Sequence, residues 1–311
     1  MKDTVVAVVG PTGVGKTKLS IEIAKAFHGE VISGDSMQVY KGMDIGTAKV
    51  SKTEIHDIPH HMIDIKDPDE DFSVADFQFH VQKNISNILN NQHVPIIAGG
   101  SGLYIQAALF NYNFSNQKRD KAVTRQLEYI LKSEGAASLH RRLMKIDQVQ
   151  AEKIHPNNHR RLIRALEVYE TTGMTMSDYQ KKQQQESSYN PILIGLDMDR
   201  ELLYKRINQR VDEMLVSGLL DEVNRLFQQG YESCQSMHAI GYKEFIPYLK
   251  GECTLEESVE LLKRNSRRYA KRQYTWFKNK MDVKWYSITP ATVNENFRII
   301  LADLAGMLKE K

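Results

Sequence analysis

The stretch TVVAVVGPTGVGKT, Thr4 to Thr17, decides how the rest of the chain is read. Val5 to Val9 is a short apolar run rich in β-branched residues, the pattern of a strand buried on both faces. Gly10, Pro11, Thr12, Gly13, Val14, Gly15, Lys16 and Thr17 follow it and fit the P-loop spacing G-x4-G-K-[ST]. The segment behind them, KLSIEIAKAF, has helical spacing, so motif and context agree. Glycines in such a loop let backbone N–H groups converge on phosphate oxygens, and the helix N-terminus adds partial positive charge. Lys16 supplies a full charge, and the Thr17 hydroxyl suits Mg2+. The loop is built to hold phosphates; what is done with them is decided by the rest of the chain.

Working outward, EVISGD, HMIDI and VPIIAGG read as further strands, and SVADFQFHVQKNISNILNNQ as an amphipathic helix with Phe77, Val81, Ile85 and Ile88 near one face. Alternating strands and helices predict a parallel α/β sheet over roughly the first 110 residues. From about Phe114 the strand signal stops. TRQLEYILKSEGAASLHRRLMKIDQVQAEKI and NHRRLIRALEVYETTG are helical, and SDYQKKQQQESSYN is a polar return to the strand PILIGLDM. The expected organisation is a P-loop core of the doubly wound α/β class over 1–112 and 191–311, with a helical insertion over 113–190. The chain from Arg200 onward is mostly helical, with a late strand near VKWYSI.

The 311 residues carry a net charge of +3 and 26% charged residues, with no apolar run near membrane-spanning length. Strand and loop start at once, so no signal peptide is expected. Cys234 and Cys253 make neither a disulfide framework nor a zinc site, and we expect a reducing cytoplasm.

Several segments carry candidate chemistry. SGDSMQVYKGMDIGTAK starts where the second strand ends, and strand carboxyl ends form the ligand crevice of an open α/β sheet. Asp35 therefore faces the phosphate loop or serves as a turn or cap residue; Ser36, Gln38, Tyr40 and Thr47 around it favour a site. In AGGSGLY, Gly99 and Gly100 allow close backbone approach and Ser101 offers a hydroxyl, although a plain glycine turn has the same pattern. The adjacent histidines of PHHMID are read as turn or surface residues, not a metal pair. Arg206 and Arg210 share a helix face and either clamp an anion or pair with acids. His159, Arg160, Arg161 and Arg164 fall within two helical turns. Lys263 to Lys280 holds eight Lys or Arg and no acid, interleaved with Tyr269, Tyr274, Trp276 and Phe277. Such a segment either neutralises nucleic-acid phosphates and stacks bases, or is a solvated helix whose aromatics enter the core.

GPTGVGKT, DSMQVYKGMDIGTAK, HHMID, GGSGLY, IHPNNHRRLIRALEVYETTG, AIGYKE and YAKRQYTWF, in that order, resemble the bacterial tRNA dimethylallyltransferase family. The resemblance spans residues near 5 to near 280. Ser101 stands where the family usually has threonine, and Gly13-Val14 where it often has Ala-Ser. The resemblance implies transfer of a dimethylallyl group from dimethylallyl diphosphate to the exocyclic amine of an adenine beside the anticodon, with Mg2+. It implies Asp35 as general base, Ser101 and Arg210 on the diphosphate or bridging oxygen, and the loop Gly10–Thr17 on the diphosphate. Asp35, Ser36, Met37, Gln38, Ser101, His159, Arg160, Arg161, Leu162, Ile163 and Arg272 match positions that contact tRNA, at its anticodon stem-loop. A cytoplasmic monomer away from membranes is the matching expectation. The rival readings are an isopentenyltransferase acting on free adenine nucleotides, a P-loop small-molecule kinase and a non-catalytic RNA-binding module. The insertion and the basic segments separate the first rival, since a small nucleotide would not need them.

Overall fold

The computed structural model describes residues 2–55, 57–112, 114, 120–182 and 186–309. The chain forms two compact units, Met1–Leu109 with Ser187–Lys311, and Phe110–Glu186. Asn113, the expected start of the insertion, and Gln183 to Gln185 of the expected polar return lie outside the described residues. Ser187 to Asn190 count with the first unit, because Lys2 Nζ donates to the Ser187 carbonyl and Asn190 N donates to the Asp3 carbonyl.

The first unit is built on β1 (Thr4–Val9), β2 (Gly29–Ser33), β3 (His60–His61), β4 (Val94–Gly99), β5 (Asn190–Asp197) and β6 (Lys284–Ser287). All pairings are parallel, in the order β3-β2-β4-β1-β5-β6. The sheet thus grows in both directions from β1, the doubly wound arrangement expected. Every residue of β1 is buried, as a strand covered on both faces requires. On one face Val6, Val8, Val31, Ile96, Ile194 and Leu196 pack with helices α1 (Lys16–Phe27), α10 (Arg200–Val216) and α14 (Val293–Lys309). The sheet also meets α3 (Val74–Asn90) and α4 (Gly102–Leu109); Phe77, Val81, Ile85 and Ile88 of α3 are the buried stripe read from the sequence. Ser73 and Asp76 close a capping box at the start of α3.

HMIDI was expected as a strand, but only the two residues before its methionine pair with β2. Met62 and Asp64 have φ of 65° and 55°, which takes the chain out of the extended region. The histidines are also more than turn residues. His61 Nε2 and His93 Nδ1 each lie 2.6 Å from the Glu30 carboxylate, which is buried at the start of β2.

After the short α2 (Lys52–Ile55), the remaining helices of the first unit are α11 (Leu219–Gln228), α12 (Ile246–Leu249) and the 26-residue α13 (Leu255–Lys280). The second unit holds α5 (Lys121–Glu134), α6 (Ala136–Ile146), α7 (Gln148–Lys153), α8 (His159–Thr172) and α9 (Met176–Lys182) around Leu127, Leu139, Leu143, Leu162 and Leu166. No helix among the described residues is long and apolar enough to cross a membrane.

Candidate active site

The P-loop is shaped by glycine backbones. Gly10, Gly13 and Gly15 have φ of 142°, 79° and 111°, and Gly15 in this left-handed conformation opens α1. A Cβ on Gly10 would lie 2.6 Å from the Leu196 carbonyl, so no larger residue fits there. Lys16 Nζ donates to the Pro11 carbonyl at 2.8 Å, folding the side chain over its own loop. The Thr17 side chain lines the cavity and its hydroxyl has no partner among the described residues. Pro11 and Val14 are buried and hold the loop against the sheet.

The carboxyl ends of β2 and β4 bring the next groups in. Asp35 follows β2 and is half-buried; its Oδ1 accepts the Met37 N–H at 2.8 Å, and its own N–H donates to Ser33 Oγ at 3.3 Å. Ser101, after β4, is buried and its Oγ accepts the Ser36 N–H at 3.3 Å. Gly34 and Gly99 press so closely that a Cβ on Gly99 would lie 2.3 Å from Gly34 backbone atoms. That close approach joins the Asp35 and Ser101 turns. The Gln38 amide is fully engaged: its Oε1 accepts from Ser33 Oγ at 2.7 Å, and its Nε2 donates to the Thr47 and Ala48 carbonyls at 3.1 and 3.3 Å. It braces the loop and also lines the larger of the site's two cavities.

Helices α10 and α13 close the space. Arg210 Nη1 donates to Thr12 Oγ1 at 3.4 Å, and neither Arg210 nor Arg206 forms an ion pair among the described residues. Arg206 and Arg210 both line the larger cavity, and Arg210 lines the smaller one as well. Gln273 of α13 accepts the Thr12 N–H at 2.9 Å, and its amide fills the space a Cβ on Gly100 would need, 2.0 Å away.

Two cavities result. One, of about 720 Å³, is lined by the P-loop with Asp35, Arg206, Arg210, Tyr269 and Gln273. The other, of about 340 Å³, is lined by Met37, Ile207, Val211, Ser266 and Arg272 among others. They share Thr12, Asp35, Thr47, Ala48, Arg210 and Tyr269, so one carboxylate and one guanidinium stand on a common wall. Burial, helped by the Arg210 charge and opposed by Asp35, lowers the Lys16 ammonium to about 7. Burial raises the Asp35 carboxyl above its ordinary value, against the Met37 N–H and the charges of Lys16 and Arg210. The Tyr269 phenol is pushed up to about 12 by burial and by Asp35.

The basic segments divide. His159, Arg160 and Arg161 are exposed in the first turn of α8, and neither arginine is ion-paired among the described residues. Arg164 is paired with Glu167 at 2.9 Å, and the Leu162 and Ile163 side chains belong to the core of the second unit. On α13, Lys263 pairs with Asp212 at 2.7 Å and Arg267 donates to Asn208 at 2.6 Å. Arg264, Arg268 and Lys271 are exposed on the helix, and Arg272, also exposed, borders the smaller cavity beside the Tyr269 ring. Three of the four aromatics follow the core alternative, whereas Tyr269 borders both cavities. Phe277 is fully buried, Trp276 packs where a Cβ on Gly102 would lie, and Tyr274 donates to Asp197 at 2.7 Å. Gln273 escapes the sequence reading, and Tyr269 enters it only as one of the interleaved aromatics. Their spacing, four apart on α13, is the one sequence signal that they share an inward-facing row.

The family model described as IPP transferase matches residues 38–280. The chain is 62% identical over 311 residues to a tRNA dimethylallyltransferase of Oceanobacillus iheyensis, covering 100% of this chain and 99% of the relative. It is 52% identical over 309 residues to the tRNA dimethylallyltransferase of Bacillus subtilis, covering 99% and 98%. The crystal structure of the full-length tRNA isopentenylpyrophosphate transferase from Bacillus halodurans aligns over 100% of this chain and 98% of its own, with a TM-score of 0.76 and 49% identity. A eukaryotic dimethylallyltransferase captured acting on tRNA aligns over 93% of this chain and 75% of its own, with a TM-score of 0.79 and 34% identity.

Proposed function

The chain belongs to the IPP transferase family, and from that premise we infer that it is a tRNA dimethylallyltransferase. Dimethylallyl diphosphate is the donor, and the acceptor is the exocyclic amine of the adenine beside the anticodon, presented by the anticodon stem-loop. The observation that carries this reading is the wall shared by the two cavities, where Asp35 and Arg210 face both the P-loop side and a second space. A phosphotransferase needs a base beside its phosphates; here the base also borders a separate compartment suited to a base turned out of its stack.

The chain's own groups divide the work as follows. The carbon–oxygen bond to diphosphate breaks, the carbon–nitrogen bond to the amine forms, and the amine's proton passes to Asp35. The amine lone pair is delocalised into the purine ring, so a proton acceptor in place during attack matters. The raised carboxyl of Asp35 brings its basicity closer to working pH. Lys16, Arg210 and the P-loop amides face the charge that grows on the leaving diphosphate. Ser101 Oγ accepts the Ser36 N–H and donates to Ser36 Oγ at 3.5 Å, which holds the turn beside Asp35, and its hydroxyl is the group for the bridging oxygen once the donor is bound.

Mg2+ fits the chemistry of this donor set. Among the described residues no group of three His, Cys, Asp or Glu side chains could hold a metal, but the unpartnered Thr17 hydroxyl lies beside the loop, and diphosphate oxygens would complete the shell. When bound, Mg2+ supplies further neutralisation of the diphosphate charge. Arg160 and Arg161 in the second unit and Arg272 on α13 are the groups for tRNA phosphates. A cytoplasmic monomer accommodates this reaction.

The test supplies unmodified tRNA with dimethylallyl diphosphate labelled in the prenyl group, or with γ-labelled ATP. Prenyl label on the RNA with release of diphosphate is the expected result. Label from ATP reaching a small molecule, with none from the prenyl donor, would establish the kinase rival instead. A second prediction concerns the insertion. Replacing Arg160 and Arg161 together with alanine should weaken tRNA binding and flatten its dependence on log salt by up to about two, at roughly one for each phosphate no longer neutralised. Donor binding should be unchanged. Identical salt slopes in a folded variant would remove these arginines from the tRNA interface.

A further inference from the structure

The segment Gly42–Lys49 is anchored more heavily than a surface turn requires. Thr47 and Ala48 line both cavities, and Gly46 lines the smaller one. Its amides converge on a single carboxylate of α11. Asp44 N and Ile45 N donate to Glu222 Oε2 at 2.9 and 3.0 Å, and Gly46 N donates to Oε1 at 3.1 Å. The Tyr242 hydroxyl donates to the same Oε1 at 2.6 Å. Glu222 is only 8% exposed, Tyr242 is fully buried, and a Cβ on Gly46 would lie 2.4 Å from the Tyr242 ring.

Glu222 has no ion-pair partner among the described residues. A buried carboxylate without a cation is costly unless its lone pairs are met, and here four donors meet them. A neutral hydrophobic residue would be the simpler choice if the turn only had to be covered. The four donors give the charge a task, which is to fix three successive amides in one geometry.

The turn leads straight to the reacting carboxylate. The Thr47 and Ala48 carbonyls take both N–H bonds of the Gln38 amide, Gln38 Oε1 takes the Ser33 hydroxyl, and Ser33 Oγ takes the Asp35 N–H. The connection from Tyr242 to Asp35 is therefore continuous. Next to it, Glu244 accepts the Gly241 N–H and the Asn265 amide, both at 2.9 Å, and so ties the Tyr242 loop to α13.

We propose that Glu222, seated by Tyr242, is a positioning residue for prenyl transfer: it fixes the Asp44–Gly46 turn, and through Gln38 and Ser33 the turn sets the place of the Asp35 carboxylate. The proposal rests on the functional reading above. Glu222 touches neither substrate, and its effect passes through Asp35. Displacing Gln38 removes a backbone N–H that favours the charged form of Asp35, so the acid limb of the transfer rate moves to higher pH. Asp35 otherwise faces Lys16, Arg210 and Tyr269, which stay in place.

The experiment compares the wild-type protein with Glu222→Gln and Tyr242→Phe in single-turnover prenyl transfer to tRNA across pH. Gln keeps the shape but sets its own N–H2 against the donors that meet one of the two oxygens. The saturated transfer rate of Glu222→Gln should fall by about 10–100-fold, as a misplaced reacting group predicts, with its acid limb at higher pH. Its KM for dimethylallyl diphosphate should stay within about twofold, because uniform binding at the P-loop is untouched. Tyr242→Phe, which removes one donor and keeps the charge, should lose roughly 3–10-fold with its limb moved the same way. A folded Glu222→Gln with the wild-type rate, or with a lower rate and an unmoved limb, overturns the proposal. If Glu222→Gln does not fold, Tyr242→Phe decides by the same two readouts. A wild-type protein that transfers no prenyl group would sink the functional reading itself, an outcome separate from either variant's.

Discussion

Replacing Asp35 with asparagine is expected to lower the single-turnover rate of prenyl transfer by about 10²–10⁴, the usual worth of a positioned general base. Asparagine keeps the size and can still accept the Met37 N–H that the carboxylate accepts at 2.8 Å. The turn should therefore survive, and tRNA and donor affinities should stay near wild type. The change removes basicity alone. Its sign with pH follows from burial, which raises the Asp35 carboxyl above its ordinary value. Wild-type activity should fall on the acid side as Asp35 takes up a proton, at a pH above the usual carboxylate range. The asparagine variant should lack that limb. A variant that retains near-normal single turnover, or the same acid limb, would show that the amine's proton goes elsewhere.

The second large effect belongs to Lys16. Lys16→Met keeps the length and removes the charge, and kcat/KM for the donor should fall by roughly 10²–10³, as for other preorganised charges facing a developing anion. Donor binding and turnover should fall together, since the ammonium meets diphosphate in the ground state and meets more charge in the transition state. Protonation supplies an independent readout. Lys16 sits at about 7, held down by burial and by the Arg210 charge. Above that pH the amine is mostly neutral. A diphosphate arriving beside it favours the ammonium and raises its pKa, so binding takes up a proton on the alkaline side of neutrality. Titration calorimetry of dimethylallyl diphosphate in buffers of different ionisation enthalpy should show this uptake in the wild type and lose it in Lys16→Met. Equal proton uptake by both proteins would assign the proton to another group. Tight ATP binding without donor binding would favour the kinase rival.

What could be read from the residues alone was local. The P-loop was legible because its geometry is written in its own backbone: three glycines at positive φ, a buried β-branched strand before and a helix after. The buried stripe of α3 was legible because four apolar residues at helical spacing suffice to define a face. Asp35 and Ser101 were legible as site candidates because each follows a strand whose carboxyl end must open on the crevice. The tertiary structure decided what needs partners far away in the chain. Gln273 meets the Thr12 amide across 261 residues, and nothing about a glutamine in a basic helix announces that hydrogen bond. Trp276 and Phe277 could stack on bases or fill the core, because an aromatic side chain has the same composition in both settings; the close approach of α4 at Gly102 chose the core. His61 reads as a turn or surface residue until the fold sets Glu30, on the neighbouring strand, between it and His93. Arg160 and Arg164 look alike in sequence, but one turn of helix puts Arg164 beside Glu167 and leaves Arg160 exposed. Backbone conformation is set largely by neighbours in sequence, whereas the partner of a polar or aromatic side chain is set by which elements the packed core brings together.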